Sequence, residues 1–158
     1  MSAEDSPVFR DARREDVPAI VALLADDALG AARETPAGGE GDLDEAYWSA
    51  FDLVQADPRN RVIVAKAGGQ VVGTLQLTLI PGLSRHGMLR AQIEAVRVAA
   101  SQRRAGVGHA MIKWAIGQAR AAGCGLVQLT SDKQRPGAIR FYESLGFTAT
   151  HEGLKLPL

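Results

Sequence analysis

The stretch "LRAQIEAVRVAASQRRAGVGHAMIKWAIGQARAAGCGLVQLT", Leu89 to Thr130, decides the fold. Its first third alternates, which predicts a strand with Ile93 and Ala95 on one face and Glu94, Val96 and Val98 on the other. The period then changes. Val107, Ala110, Met111, Trp114 and Ala115 recur at helical spacing, with Lys113, Gly117 and Arg120 on another face, so a helix is expected over 107–122. Gly123 stands at the C′ position of that helix, and "LVQLTS" returns to strand. Between strand and helix lie Arg103 and Arg104, then Gly106-x-Gly108. A basic pair and two glycines ahead of a helix start predict a loop whose backbone amides approach an anion.

Working outward, "PVFRDA" reads as a short strand, and "EDVPAIVALLADDAL" as a helix with Val17, Ile20, Val21, Leu24 and Ala28 inward. "GAARETPAGGEG" (30–41) is expected to be a mobile loop. A second helix follows, with Asp42 as N-cap, Glu45 three residues on, and Leu43, Tyr47, Phe51 and Val54 on its apolar face. "RVIVAKAGGQVVGTLQLTLI" is a hairpin about "AGGQ". Pro136 opens a short helix that Gly146 closes, and "FTATHEG" with "LKLPL" predicts a final strand pair. The expected order is β-α-α-β-β-β-α-β-α-β-β, an α/β domain over 1–158 with a disordered tail at 1–7.

Length and composition fit one ordinary globular domain: 158 residues, 46% hydrophobic and 23% charged. The single cysteine, Cys124, rules out an intrachain disulfide framework and reads as a small buried hydrophobe. The N-terminus has no apolar h-region and no apolar run is long enough to span a bilayer, so the expected location is cytoplasmic, with no membrane partner. The net charge of zero hides a division: residues 1–57 sum to −10 and residues 58–158 to +10. That polarity fits a basic surface for an anion and an acidic region facing a cation, and equally two solvated faces. The basic half lacks interleaved aromatics, which argues against nucleic acid. His86, His109 and His151 are too dispersed for a metal site, so no metal is expected.

Several phosphate-binding loops share a Gly-x-Gly. A P-loop ends in Gly-Lys-Ser/Thr, whereas His109-Ala110 follows Gly108. A dinucleotide loop carries a third glycine where Met111 stands and begins directly at the strand's end, not eight residues after Val98. The loop Arg103-Arg104-Ala105-Gly106-Val107-Gly108 instead resembles that of the GNAT superfamily of acyl-CoA N-acyltransferases, of the form Gln/Arg-x-x-Gly-x-Gly/Ala. "IEAVRV" is similar to that family's fourth strand and "AIRFYESLGF" to its second signature.

The resemblance implies a mixed central sheet, here of seven strands with four helices, whose strands four and five splay to form a cofactor cleft. It implies acetyl-CoA or coenzyme A as co-substrate. The pyrophosphate would lie on Arg103, Arg104, Ala105, Gly106, Val107, Gly108 and His109, and the pantetheine would run along Val96, Arg97 and Val98. Tyr142 is implied as the proton donor to the leaving thiolate and Glu94 as the base or the group that orients the amine. Arg135 stands where the family often has an asparagine that contacts the pantetheine. A phenol near pKa 10 stays protonated at pH 7 and suits a donor to a thiolate. An ordinary carboxylate lies about six units below a lysine-like ammonium, so a glutamate would work through water or with a raised pKa. Glu94 paired with Arg97 as a structural ion pair is the alternative reading. The acidic N-terminal region points to a cationic small-molecule amine as acceptor, with a protein amine and a homodimer left open. A non-catalytic CoA-binding sensor or interaction module on the same fold is the competing function.

Overall fold

The computed structural model describes residues 6–37 and 42–158. The expected tail at 1–7 and loop at 30–41 fall partly outside these: residues 1–5 and 38–41 are not described. The chain divides into two compact units, one through Gln128 and one from Leu129 to Leu158.

The first unit is built on a five-stranded sheet in sequence order. The strands are β1 (Val8–Asp11), β2 (Asn60–Ala67), β3 (Gln70–Ile80), β4 (Arg90–Val98) and β5 (Leu126–Gln128). All neighbours are antiparallel except β4 and β5, which run parallel. Gly68 and Gly69 close the β2–β3 hairpin, both with positive φ, as a two-residue turn matched to strand twist requires. Helices α1 (Val17–Ala25), α2 (Ala28–Ala31) and α3 (Glu45–Ala56) precede β2; the one-turn α4 (Ser84–Gly87) precedes β4; α5 (Val107–Ala121) joins β4 to β5.

Two apolar layers sandwich the sheet. Val17, Ile20 and Val21 of α1 and Phe51 of α3 cluster on Val64 of β2. Cross-strand neighbours share a face, so Val62, Val64, Thr74, Gln76, Gln92 and Glu94 lie on this same side. The opposite face carries Ile63, Leu75, Leu77 and Ile93, all essentially inaccessible. There α5 packs: its Met111, Ile112, Ala115 and Ala119 are fully buried, and Arg61 of β2 donates to Gln118 Oε1 at 2.9 Å. Each such side chain withdrawn from water contributes about 1.5–3 kcal/mol for the larger ones. Gly123 ends α5 as expected: at φ 84° it donates to Arg120 O while Cys124 N donates to Ala119 O, the paired bonds of a Schellman cap.

The structure differs from expectation in several places. The first helix breaks at Asp26–Asp27, and α2 begins afresh with the Asp27 carboxylate accepting from Gly30 N at 2.6 Å. The cap of α3 is Asp44, not Asp42: its side chain accepts from Ala46 N at 2.8 Å, the short reach of an Asx turn. Within β4 an extra residue is accommodated, since Gln76 faces Glu94 but Thr74 faces Arg97. Ala95 takes φ 53° and is exposed, so alternation breaks: Arg97 joins the Glu94 face, and Val98, opposite Gly73, shifts to the Ile93 face. The sequence-based assignment of Ala95, Val96 and Val98 to faces therefore does not hold. Cys124 is partly exposed, with burial pushing its thiol pKa up.

The second unit holds α6 (Pro136–Glu143). "FTATHEG" and "LKLPL" form no strand, and Leu154, Leu156 and Leu158 are exposed. Alternation makes a strand only where a ladder partner takes up its backbone groups. Among the described residues there are thus five strands and six helices, against the expected seven and four.

Candidate active site

Glu94 sits immediately before the bulge, exposed on the α1/α3 face of the sheet. Among the described residues its carboxylate makes no ion pair or hydrogen bond. Arg97, the partner considered from sequence, instead lies with its Nε 3.5 Å from Asp27 Oδ2 and its Nη1 donating to Val96 O at 2.8 Å. Val96 and Val98 are half-buried.

The parallel ladder joins Arg90, Ala91 and Gln92 to Leu126, Val127 and Gln128 and goes no further, while β4 runs on for six residues to Val98. The bulge and this early end of pairing fall in the same stretch. A bulged strand bends and twists locally, which carries it away from a neighbour that does not follow.

After β4, a 3-10 turn at Ala100–Gln102 leads into the glycine loop. Arg104 and Gly106 are both left-handed, at φ 70° and 81°, and Gly106 is the residue from which α5 starts. A Cβ on Gly106 would meet no atom within 4 Å, so glycine is favoured there by its φ rather than by crowding. The first amides of a helix, here Val107, Gly108 and His109, have no acceptor within it. With the helix dipole they suit an anion, and residues 103–106 are exposed. Arg103 is partly committed elsewhere: Nε donates to Val98 O at 3.3 Å and Nη2 lies 3.4 Å from Asp26 Oδ2. These bonds tie the loop to the end of β4 and to the break after α1. The donor set fits a pyrophosphate: several amides in one loop plus an arginine at Arg104.

In the second unit, Tyr142 lies on α6, half-buried and edge-on to Phe141 and Phe147, with centroids 5.1 and 5.9 Å away. Two amides, those of Leu145 and Phe147, donate to its carbonyl and fix the end of the helix. Arg135 precedes Pro136 as the N-cap residue of α6, its amide donating to Asp132 O at 2.9 Å. The structure thus gathers Glu94, Val96–Val98 and residues 103–109 within the first unit, and places Tyr142 and Arg135 in the second.

Sequence reasoning passed over a polar row across the sheet. Asn60, Thr78, Gln92 and Gln128 are successive neighbours on four strands, on the face of Glu94. Thr78 Oγ1 donates to Asn60 Oδ1 at 2.7 Å, as does Gln76 Nε2 at 3.1 Å; Gln128 Nε2 donates to Gln92 Oε1 at 3.0 Å. Arg90 Nη1 donates to Gln128 Oε1 at 3.2 Å. The only signal in the sequence was the period-two run of polar residues Arg90, Gln92 and Glu94.

Known proteins resemble the chain over most of its length. It is 37% identical over 109 residues to glucosamine 6-phosphate N-acetyltransferase of Trypanosoma brucei brucei, covering 65% of this chain and 72% of that one. It is 27% identical over 144 residues to aminoalkylphosphonate N-acetyltransferase of Salmonella typhimurium, covering 90% and 86%. Among solved structures, a protein of Bacillus halodurans C-125 described as a transcriptional regulator superposes with a TM-score of 0.91 at 45% identity, over 96% of this chain and 99% of that chain. The family model for the Acetyltransferase (GNAT) family matches residues 12–147, and with the glycine loop and the two N-acetyltransferase relatives this establishes that the chain is an acetyl-CoA-dependent N-acetyltransferase belonging to that family.

Proposed function

We propose that the protein transfers the acetyl group of acetyl-CoA to the primary amine of a small molecule by direct attack. The observation that carries this reading is the glycine loop, left-handed at Arg104 and Gly106, opening α5 next to a β4 whose pairing with β5 ends at Gln92. In this reading the amides of 104–109 and the Arg104 guanidinium hold the pyrophosphate, and the backbone of Val96–Val98 takes the pantetheine as a further strand where β4 and β5 part. Arg97, Arg103 and Arg135 add positive charge around the cofactor.

Bound acetyl-CoA supplies an activated thioester; the chain supplies position and protons. Glu94 carries no competing ion pair among the described residues and so is available to a substrate ammonium. It orients the amine and accepts its proton, through water where the pKa gap is large. Tyr142 keeps its proton at neutral pH and gives it to the sulfur as the thiolate departs. Both N-acetyltransferase relatives act, by name, on amines that also bear a phosphorus oxyanion, which makes such amines the first acceptors to try beside the cationic amines suggested by the acidic N-terminal region.

A thiol-release assay tests the assignment. Replacing Tyr142 by Phe should lower kcat about 10²–10⁴-fold, the ordinary range for a lost acid–base group, while acetyl-CoA binding persists. An unchanged kcat would remove Tyr142 from the mechanism.

A further inference from the structure

We infer that the acceptor carries an oxyanion as well as an amine, and that Arg90 reads it. The inference rests on the proposed acetyltransfer and extends it to the substrate's second group.

Arg90 lies on the same strand and face as Glu94. It is half-buried, yet no carboxylate lies within ion-pair distance of it among the described residues, and its Nε is buried with no hydrogen-bond partner. A guanidinium drawn partly out of water without a counter-ion is unfavourable by itself, and becomes favourable where an anion completes it. Among the described residues its one side-chain partner is neutral: Nη1 donates to Gln128 Oε1. That bond leans the guanidinium along the sheet towards the row of Gln128 and Gln92, and so towards Glu94.

The amides propagate this orientation. Because Gln128 Oε1 accepts from Arg90, its Nε2 faces Gln92 Oε1, which leaves the Gln92 amide nitrogen as a donor with no protein partner among the described residues. Two cationic or neutral donors, Arg90 and Gln92, thus stand on one side and one carboxylate, Glu94, on the other. Gln92 and Glu94 are two residues apart, about 7 Å along a strand. A molecule with an ammonium at Glu94 and a phosphate, phosphonate or carboxylate over Gln92 and Arg90 matches that spacing, which a short alkyl chain or one sugar ring covers. At the far end of the row Asn60 and Thr78 hydrogen-bond each other, so they complete the polar floor without adding a free cation.

The test compares matched acceptors: glucosamine 6-phosphate against glucosamine, and 2-aminoethylphosphonate against ethanolamine, with spermidine as the purely cationic case. Each is measured by thiol release and by calorimetric titration onto the CoA-bound protein. The wild type should favour the oxyanion-bearing member of at least one pair. Arg90→Gln should raise KM and Kd for that member about ten- to a hundredfold, with kcat, acetyl-CoA affinity and the partner lacking the oxyanion little changed. Arg90→Lys should recover part of the loss, which a merely structural residue would not show. Equal use of both members of each pair, preference for spermidine, or an equal loss for acceptors with and without the oxyanion in Arg90→Gln would overturn the inference. Binding of an oxyanion amine that depends on Arg90, without its acetylation, would support the subsite and sink the proposed transfer to that small molecule instead.

Discussion

At the scale of single residues, Ala95 decides more than its size suggests. Its left-handed φ of 53° admits the extra residue that turns β4 and leaves Glu94 exposed at the bend. For a residue with a Cβ this conformation costs about 1–2 kcal/mol relative to glycine, partly offset by glycine's greater freedom in the unfolded chain. Ala95→Gly should therefore leave stability unchanged or raise it by up to about 1 kcal/mol, whereas Ala95→Val should lower it by about 1–2 kcal/mol. Urea unfolding of the three proteins checks this, and a valine variant as stable as the wild type would mean that Ala95 is not left-handed in solution. The site residues read from the sequence were those with unusual chemistry, Glu94, Tyr142 and the arginine–glycine loop. Arg90 and Gln92 were not read, because a polar residue on a strand is ordinarily a solvated one. Only the folded sheet shows that Gln92 shares a row with Gln128 and that Gln128 accepts from Arg90.

At the scale of elements, the break between α1 and α2 brings acidic side chains to arginines of β4 and the glycine loop. Asp26 meets Arg103 and Asp27 meets Arg97. The turn depends on Gly30, where a Cβ would stand 1.9 Å from the backbone oxygen of Leu24. Backbone cannot yield as a flexible side chain does, so Gly30→Ala should destabilise the protein by about 2 kcal/mol or more. That corresponds to a fall in melting temperature of about 4–8 °C for a chain of this length. A melt within a degree of wild type would show that α2 does not fold against α1 in this way. The sequence indicated α5, its glycine cap, the "AGGQ" hairpin and the α6 start at Pro136 because each depends on local chemistry. It missed the α1 break and placed strands at 147–158, where the outcome depends on partners far along the chain.

At the scale of the whole molecule, the anion binding proposed for the loop would be linked to the stability of the fold. A ligand that binds only the folded state at about 100 times its Kd adds about 2.7 kcal/mol, or about 5–10 °C in a protein of this size. Saturating acetyl-CoA should raise the melting temperature by that amount, and NAD should not. A shift with neither would leave the glycine loop as structure alone and withdraw the pyrophosphate assignment. The charge division along the chain takes on meaning here as well. The ion pairs found between the two halves include Asp26 with Arg103, Asp27 with Arg97 and Asp11 with Arg61. Part of the −10 and +10 is thus spent on internal pairing, which weakens the inference from acidic residues to a cationic acceptor.

The sequence by itself determined the strand–loop–helix centre, the glycine loop that opens α5, and the family. These rest on short-range physics: two glycines that tolerate positive φ, helix amides that need an acceptor, and a hydrophobic period that changes from two to 3.6. The tertiary structure alone decided which way Val96 and Val98 face, where β5 leaves β4, and that Asn60, Thr78, Gln92 and Gln128 form one row. Each of those depends on strand register. Register is set by pairing between residues far apart in the chain, and one inserted residue at Ala95 reverses every side chain beyond it.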